Sequence, residues 1–153
     1  MGQQQLLLLV LSTVIVGLAT VAGIQAFSEG QTQATQDALT QRGISIGQDI
    51  SAQLNKPSQL GGISQTSSKD QIAAAAGLDD TAGGGEGIPA GGAGDEADCD
   101  ITGTDIITIT CEENGSGGAN SSSTSQDNQT VTVETDQDGA NVVSINGTDI
   151  GSI

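Results

Sequence analysis

The sequence has no histidine, tryptophan or tyrosine, a single aromatic residue (Phe27) and only three basic residues in 153. Without histidine, neither a Ser-His or Cys-His nucleophile pair nor an imidazole general base can be built. Three basic side chains are too few for a nucleic-acid interface, and the lack of aromatic rings removes stacking platforms for bases and sugars. The composition therefore predicts a protein that is not an enzyme, with no catalytic residue, cofactor or metal ligand, and no nucleic-acid binding by the chain itself.

Acidic residues dominate the charge, and they are unevenly distributed. The 19 Asp and Glu give a formal net charge of −16, and residues 71–153 contain acids but no base. Such a surface repels nucleic acid and anionic lipid headgroups. Two interpretations remain open: disorder in the Gly- and Ser-rich middle of the chain, or a folded protein of a halophile, whose dense acids are screened by salt. Scarce lysine beside abundant Asp and Thr favours the second.

The N-terminal region contains a 22-residue stretch without charge, Leu6–Phe27, with the sequence LLLLVLSTVIVGLATVAGIQAF. As a helix it would span about 33 Å, enough to cross the apolar core of a bilayer. A buried core helix is disfavoured, because the rest of the chain has few large apolar residues to cover it. A cleaved secretory signal stays open, although its usual basic n-region is missing. The interpretation we favour is a retained transmembrane helix.

The helical pattern continues past the apolar stretch, and there is no proline before Pro57. Apolar residues recur at helical spacing in this second part, at Leu39, Ile46, Ile50 and Leu54. Gly30, Gly43 and Gly47 each weaken this prediction by about 1 kcal/mol. We therefore predict one helix over roughly residues 3–54, uniformly apolar in residues 1–27 and amphipathic in residues 28–55.

This order of an apolar and then an amphipathic half resembles a type IV pilin, and the opening GQQQLLLLVL looks like the start of pilin-like proteins. The resemblance implies that the subunit is stored in the membrane, processed by a prepilin peptidase and built by a pilus assembly machine into an extracellular helical homopolymer. The apolar half would then form the filament core, through Leu6, Leu7, Leu8, Leu9, Val10, Leu11, Val14, Ile15, Val16, Leu18, Val21, Ile24 and Phe27.

The sequence departs from the family pattern in two places. Type IV pilins carry a glutamate at the fifth mature position, which pairs with the N-terminal amine of a neighbouring subunit. If Met1 is the mature start, Gln5 stands at that position and offers an uncharged intersubunit contact. If the peptidase cuts after Gly2, Gln3 comes first and Leu7 replaces the glutamate. The family's mid-helix proline is also missing, and Gly17 and Gly23 are alternative sites for loosening the helix.

Residues 56–98 are predicted to form a Gly- and Ser-rich linker with one short helix, capped by Ser67 or Ser68 and ended by Gly77. Within it, Gly83–Gly94 is predicted to be a flexible link or surface loop. Residues 99–153 are predicted to form a β-rich head of three to five antiparallel strands, with hairpin signals at Asp138-Gly139 and Asn146-Gly147.

Cys99 and Cys111 are the only cysteines, and an even count beyond a membrane helix favours a disulfide. A straight strand would hold the two residues roughly 40 Å apart. The chain must therefore fold back between them, near Thr102-Gly103-Thr104. Metal binding is the alternative, but two thiols without histidine make a poor zinc site.

Four Asn residues begin N-x-S/T sequons in polar sequence and are candidates for glycosylation: Asn114, Asn120, Asn128 and Asn146. Taken together, the sequence predicts an α+β protein, with a long N-terminal helix packed on a small antiparallel head. The predicted function is a structural subunit of an extracellular type IV pilus-like filament for adhesion, motility or DNA uptake. The alternative is a signal-anchored or secreted monomeric surface protein.

Overall fold

One helix, α1 (Gly2–Leu54), begins the computed structural model, which describes residues 2–78, 87–94, 97–102, 106–113 and 129–150. The chain divides into two compact units, Met1–Gln33 and Ala34–Ile153. The first unit contains the apolar part of α1. In the second unit, residues 34–54 of α1 pack on an antiparallel sheet. The predicted α+β class and the single long helix are therefore confirmed.

The amphipathic face of α1 is formed by the predicted residues together with two glycines and a serine. Leu39, Ile46 and Ile50 are fully buried and Leu54 is 5% exposed. Between them lie the buried Gly43, Gly47 and Ser51. These positions follow one another at spacings of one, three and four residues, which places them on a single helical face. That face covers the sheet, while most of the remaining positions of this part of the helix are polar.

In the part of the chain that the structure describes, the sheet contains six strands in the order in which they occur in the chain, each antiparallel to its neighbours. They are β1 (Ile88–Pro89), β2 (Asp98–Thr102), β3 (Ile107–Glu112), β4 (Thr130–Thr135), β5 (Ala140–Ile145) and β6 (Thr148–Asp149). β2 to β6 are five strands in the predicted head, at the upper end of the predicted three to five. The sixth strand, β1, comes from the predicted linker, because a two-residue edge strand is too short to produce an alternating pattern. Because the strands pair in the order of the sequence, each connecting segment joins two strands that are neighbours in the sheet.

Alternation along β2, β3 and β4 separates an apolar face from a polar one. The face towards α1 carries mainly cysteine, isoleucine and valine, all 0–2% exposed, at Cys99, Ile101, Ile107, Ile109, Cys111, Val131 and Val133. The opposite face carries half-buried Thr, Asp and Glu. β5 packs against this core through Ala140 and Val142, and Val143 lies at a register irregularity opposite Thr132/Val133 of β4.

Part of the predicted flexible link belongs to the sheet, which corrects the sequence interpretation. Of Gly83–Gly94, residues 83–86 lie outside the described part of the chain, but Ile88 pairs with Cys99. Ala90 is buried, and its N–H donates to the carbonyl of Ala97 at 2.8 Å. The glycines provide backbone geometry as well as flexibility, since Gly92 and Gly94 have φ of +99° and +137°.

A short helix, α2 (Lys69–Ala76), has the predicted caps. Ser68 is the N-cap: its Oγ accepts a bond from the N–H of Gln71 at 3.4 Å, while Gln71 Oε1 accepts from the N–H of Ser68 at 3.3 Å. Gly77 ends the helix in a left-handed conformation, with φ of +69°. α2 adds Ile72 and Ala73 to the core and contacts β2.

Both predicted hairpin turns are present. Asp136 Oδ1 accepts bonds from the N–H groups of Asp138 and Gly139, at 2.8 and 3.1 Å, and this turn joins β4 to β5. Asn146 and Gly147 have φ of +50° and +73°, which allows the two-residue turn between β5 and β6. The second turn therefore leads into the short edge strand β6.

Candidate functional site

The apolar segment of α1, Leu6–Phe27, is exposed along its whole length. Its thirteen large apolar side chains, which are the predicted filament-core residues, range from 50% exposed at Leu11 to 70% at Ile24. An exposed apolar surface of this size marks a site that contacts another protein or a membrane. The segment is therefore the candidate functional site of the chain.

The hydroxyl groups of Thr13 and Thr20 do not interrupt this apolar surface. Thr13 Oγ1 donates to the carbonyl of Val10 at 2.9 Å, and Thr20 Oγ1 donates to the carbonyl of Gly17 at 2.8 Å. Each hydroxyl proton is thus bonded inside the helix, which reduces the desolvation cost of moving the threonine out of water. Both threonines are compatible with an apolar environment.

Within the described residues, α1 is the one helix long and apolar enough to cross a membrane. A signal sequence or a buried helix of a soluble protein passes the same test of length and composition. The window that passes is 0% buried, so it does not act as a core helix within this chain. The helix is compatible with membrane insertion or a signal anchor.

Small residues recur four apart on the segment, at Thr13 and Gly17, Ala19 and Gly23, and Ala22 and Ala26. Of the described residues outside the helix's own backbone, none lies within 4 Å of a Cβ built on Gly17 or Gly23. The surface at these glycines is open, and small residues at this spacing allow the backbones of two apolar helices to approach closely.

The disulfide between Cys99 and Cys111 is formed. The two residues lie directly opposite each other on β2 and β3, with Cα atoms 3.9 Å apart. The predicted fold-back is confirmed, because Thr102 pairs with Thr108, although residues 103–105 at its apex lie outside the described residues. Both cysteines are 0% exposed, and a Cβ on Gly43 of α1 would lie 3.4 Å from Cys111 Sγ. The crosslink is therefore in the core, between sheet and helix.

Three carboxylates lie close together on the polar face of the sheet. Asp98 and Glu112 are direct cross-strand partners, and Asp100 is the next residue of β2 on the same face. Burial raises the pKa of Glu112 above its ordinary value, and the negative charges of Asp98 and Asp100 raise it further. At this point of the described sheet, burial and repulsion between neighbouring carboxylates disfavour the ionised form of Glu112.

Only one of the four predicted glycosylation sites, Asn146, lies in the described part of the chain; Asn114, Asn120 and Asn128 lie outside it. Asn146 Oδ1 accepts a bond from the N–H of Thr130 at 2.9 Å, and its Nδ2 donates to Gln129 Oε1 at 2.8 Å. A glycan would be attached to that Nδ2, replacing one of its two hydrogens. The Asn146 carboxamide thus extends the pairing at the start of β4.

Three residues of the second unit have structural roles that were missed from the sequence. Gly43 and Gly47 fit the helix against the sheet, whereas we counted them only as weakening the helix. Their spacing of four residues on the face that carries Leu39 was the available signal. Arg42 Nε donates to the carbonyl of Pro89 at 3.1 Å and so ties α1 to the edge strand β1, for which the sequence contains no signal.

No protein-family model, curated protein or solved structure matches this chain. The described residues define the class of protein as α+β, with an exposed apolar helical segment and a disulfide-linked antiparallel sheet. The resemblance to type IV pilins rests on the order and length of the two halves of α1 and on the residues that open it.

Proposed function

We propose that this protein is the structural subunit of an extracellular type IV pilus-like filament, which assembles through Leu6–Phe27. The observation that carries the proposal is the exposure of thirteen large apolar side chains, each at least 50% exposed, on an uncharged helical segment. Burying one such side chain is worth about 1.5–3 kcal/mol relative to water. Copies of the same segment, packed around one another, would cover this surface on all sides.

The rest of the fold supports a subunit that transmits force along a filament. α1 continues without a break from the apolar segment into residues 34–54, whose buried face is part of the core of the second unit. The buried Cys99–Cys111 bond links β2 to β3 within that core. A force applied to α1 would therefore be transmitted through the packed side chains of Leu39, Ile46 and Ile50 to a sheet that the disulfide crosslinks.

Charge distinguishes the apolar segment from the head. All acidic side chains follow Ser28, so they are absent from the apolar segment. Like charge on neighbouring heads opposes their contact, and salt reduces that repulsion. Assembly through the uncharged helix, with acidic heads kept apart by solvent and salt, is consistent with a protein of a halophile.

Within this proposal the subunit first spans the membrane through its apolar segment. A peptidase and an ATP-driven assembly machine then transfer it into the polymer. Transfer from lipid into a helical bundle gains little hydrophobic energy, because lipid is as apolar as the bundle. Adhesion, surface motility and DNA uptake are the uses that such a filament would serve.

The test is electron microscopy of sheared cell-surface material, combined with mass spectrometry of its subunits. The expected result is filaments whose subunit retains residues 6–27. A subunit that remains single in the membrane would instead identify a signal-anchored surface protein. A soluble protein lacking residues 6–27 would identify a secreted one, and either of these results would overturn the proposal.

A further inference from the structure

The first 28 residues contain no charged side chain, so the free amine at the start of the processed chain is the only charge in this region. The first acid is Glu29 and the first base is Arg42. Gln3, Gln4 and Gln5 lie in the first turns of α1, directly ahead of the exposed apolar segment. A cut after Gly2 therefore leaves the α-ammonium group of Gln3 next to a surface that is to be buried.

Two copies that pack side by side through their apolar segments cannot neutralise this charge for each other. Gln3 and Glu29 are separated by about 39 Å along the helix axis at 1.5 Å per residue, whereas the apolar segment spans about 33 Å. A neighbouring copy that placed its Glu29 beside this amine would be displaced by more than the length of the segment. Those two copies would then have no overlap of their apolar segments. An ammonium group without a carboxylate in an apolar environment is strongly destabilising.

We propose that the N-terminal Gln3 of the processed subunit cyclises to pyroglutamate, which removes this charge. The inference rests on the proposed function in one respect, since it needs the cut after Gly2. In its neutral form the α-amine attacks Cδ of its own carboxamide. A new C–N bond closes a five-membered lactam, the bond from Cδ to Nε2 breaks, and the nitrogen leaves as ammonia after taking up the proton of the amine. No oxidant, reductant or other reactant is needed.

The chemistry depends on glutamine in particular. Its side chain places the carbonyl carbon at the distance that closes a five-membered ring, whereas asparagine would have to close a four-membered one. The α-amine has a pKa of about 7.7–8.0, so a neutral fraction is available near neutral pH. The lactam keeps one N–H donor and its carbonyl acceptors, so the end of the chain stays polar but becomes uncharged.

Mass spectrometry of the protein from filaments or membranes tests the proposal. Trypsin cuts after Arg42, the first basic residue, so the N-terminal peptide of the processed chain is residues 3–42. The expected peptide begins at Gln3 and is lighter than its sequence by one ammonia. Edman degradation of the same protein should be blocked and should start after treatment with pyroglutamyl aminopeptidase.

Each alternative outcome separates this proposal from the proposed function. A peptide that begins at Gln3 with a free amine overturns the cyclisation and leaves the filament proposal intact. A peptide that begins at any other residue overturns the cyclisation and also contradicts the proposed processing. Filaments can be scored independently by electron microscopy.

Two matched variants of the full chain test whether the loss of charge matters for assembly. Gln3→Asn keeps a carboxamide but retains the amine, and Gln4→Asn makes the same change one residue later while leaving the ring. We expect Gln3→Asn to give at least about tenfold fewer filaments than Gln4→Asn, which corresponds to an energetic difference of about 1.4 kcal/mol. Filament yields that are equal, with the cut confirmed in both variants, would overturn the role of the ring.

Discussion

Thr135 Oγ1 of β4 donates a hydrogen bond to the backbone carbonyl of Gly47 in α1 at 2.9 Å, and both residues are buried. The same hydroxyl lies 3.1 Å from the carbonyl of Gly139 in the hairpin turn. This contact requires the helix backbone to approach the sheet closely, which is possible because Gly47 has no side chain. The polar Thr135, at a position where its strand otherwise has valine, thereby joins helix, strand and turn.

Gly47→Ala should destabilise the second unit by about 1–3 kcal/mol, because the new Cβ would lie 2.5 Å from the Cβ of Ala140. Urea unfolding of the full chain in mild detergent, followed by circular dichroism, measures the change. Gly30→Ala is the matched control, since no described residue outside the helix's own backbone lies within 4 Å of its Cβ position. The control should be neutral or stabilising by up to about 1 kcal/mol. Equal stabilisation by both substitutions would contradict the close approach.

Reduction of the Cys99–Cys111 bond should require prior unfolding, because both sulfur-bearing side chains are 0% exposed. In native buffer with dithiothreitol, an alkylating agent should label neither cysteine, and in urea with dithiothreitol it should label both. Once it has been reduced, the head should lose about 3 kcal/mol of stability, as expected for closing a loop of this size. Rapid labelling in native buffer would show that the bond is accessible.

Glu112→Gln should stabilise the head at neutral pH by a few tenths of a kcal/mol, because it removes a half-buried charge facing Asp98 and Asp100. The pKa of Glu112 is raised in the folded state, so the folded protein binds this proton more tightly than the unfolded one. The stabilisation that this bound proton provides is complete below pH 4.5, which is the ordinary pKa of the carboxyl group. It is lost as pH rises through the higher pKa of Glu112 in the folded protein.

The advantage of Glu112→Gln over the wild type should therefore shrink as pH falls from neutral towards 4.5 and be lost below that value, and it should also shrink in molar salt. Chemical unfolding curves at several pH values measure it. Asp149→Asn is the control, because Asp149 is exposed on β6 and lies opposite Ser144. If Asp149→Asn gave the same pH-dependent gain in stability, the effect would come from the net charge of the protein and not from the carboxylates around Glu112.

Leu18→Lys should abolish filaments while leaving the head folded, because Leu18 is 68% exposed in the middle of the apolar segment. A charge at that position is costly both in lipid and in a helical core. Electron microscopy counts the filaments, and oxidation of Cys99 and Cys111 reports the folded head. Gln31→Lys adds the same charge to an exposed polar position of α1 and should leave assembly intact. Normal filaments from Leu18→Lys would rule out the proposed core.

The chain truncated to residues 28–153 should be soluble, should form the Cys99–Cys111 bond and should not polymerise. It contains the whole second unit, Ala34–Ile153, and lacks the exposed apolar segment. Light scattering and electron microscopy at high protein concentration measure assembly, with the full chain in detergent as the comparison. Polymers of the truncated chain would place assembly in contacts between heads and contradict the role of the helix.

The sequence by itself determined the local elements of this protein. The extent of α1, the buried Leu39, Ile46, Ile50 and Leu54, the Ser68 and Gly77 caps and both hairpin turns follow from spacing and backbone preference. The disulfide was predictable because two cysteines in a chain that must fold back have few alternatives. The exposed apolar segment was predictable because the chain offers too little other apolar sequence to cover it.

Tertiary structure alone decided what the weak local signals meant. Gly43 and Gly47 reduce helix propensity, yet the sheet needs them because any Cβ there would collide with Val133 or Ala140. Ile88–Pro89 lies in glycine-rich sequence, and it becomes a strand because the edge of β2 provides its pairing partner. Thr135 and the carboxamide of Asn146 owe their roles to partners 88 and 16 residues away. Such contacts depend on which elements pack against each other in the folded protein, and a stretch of a few residues does not predict that packing.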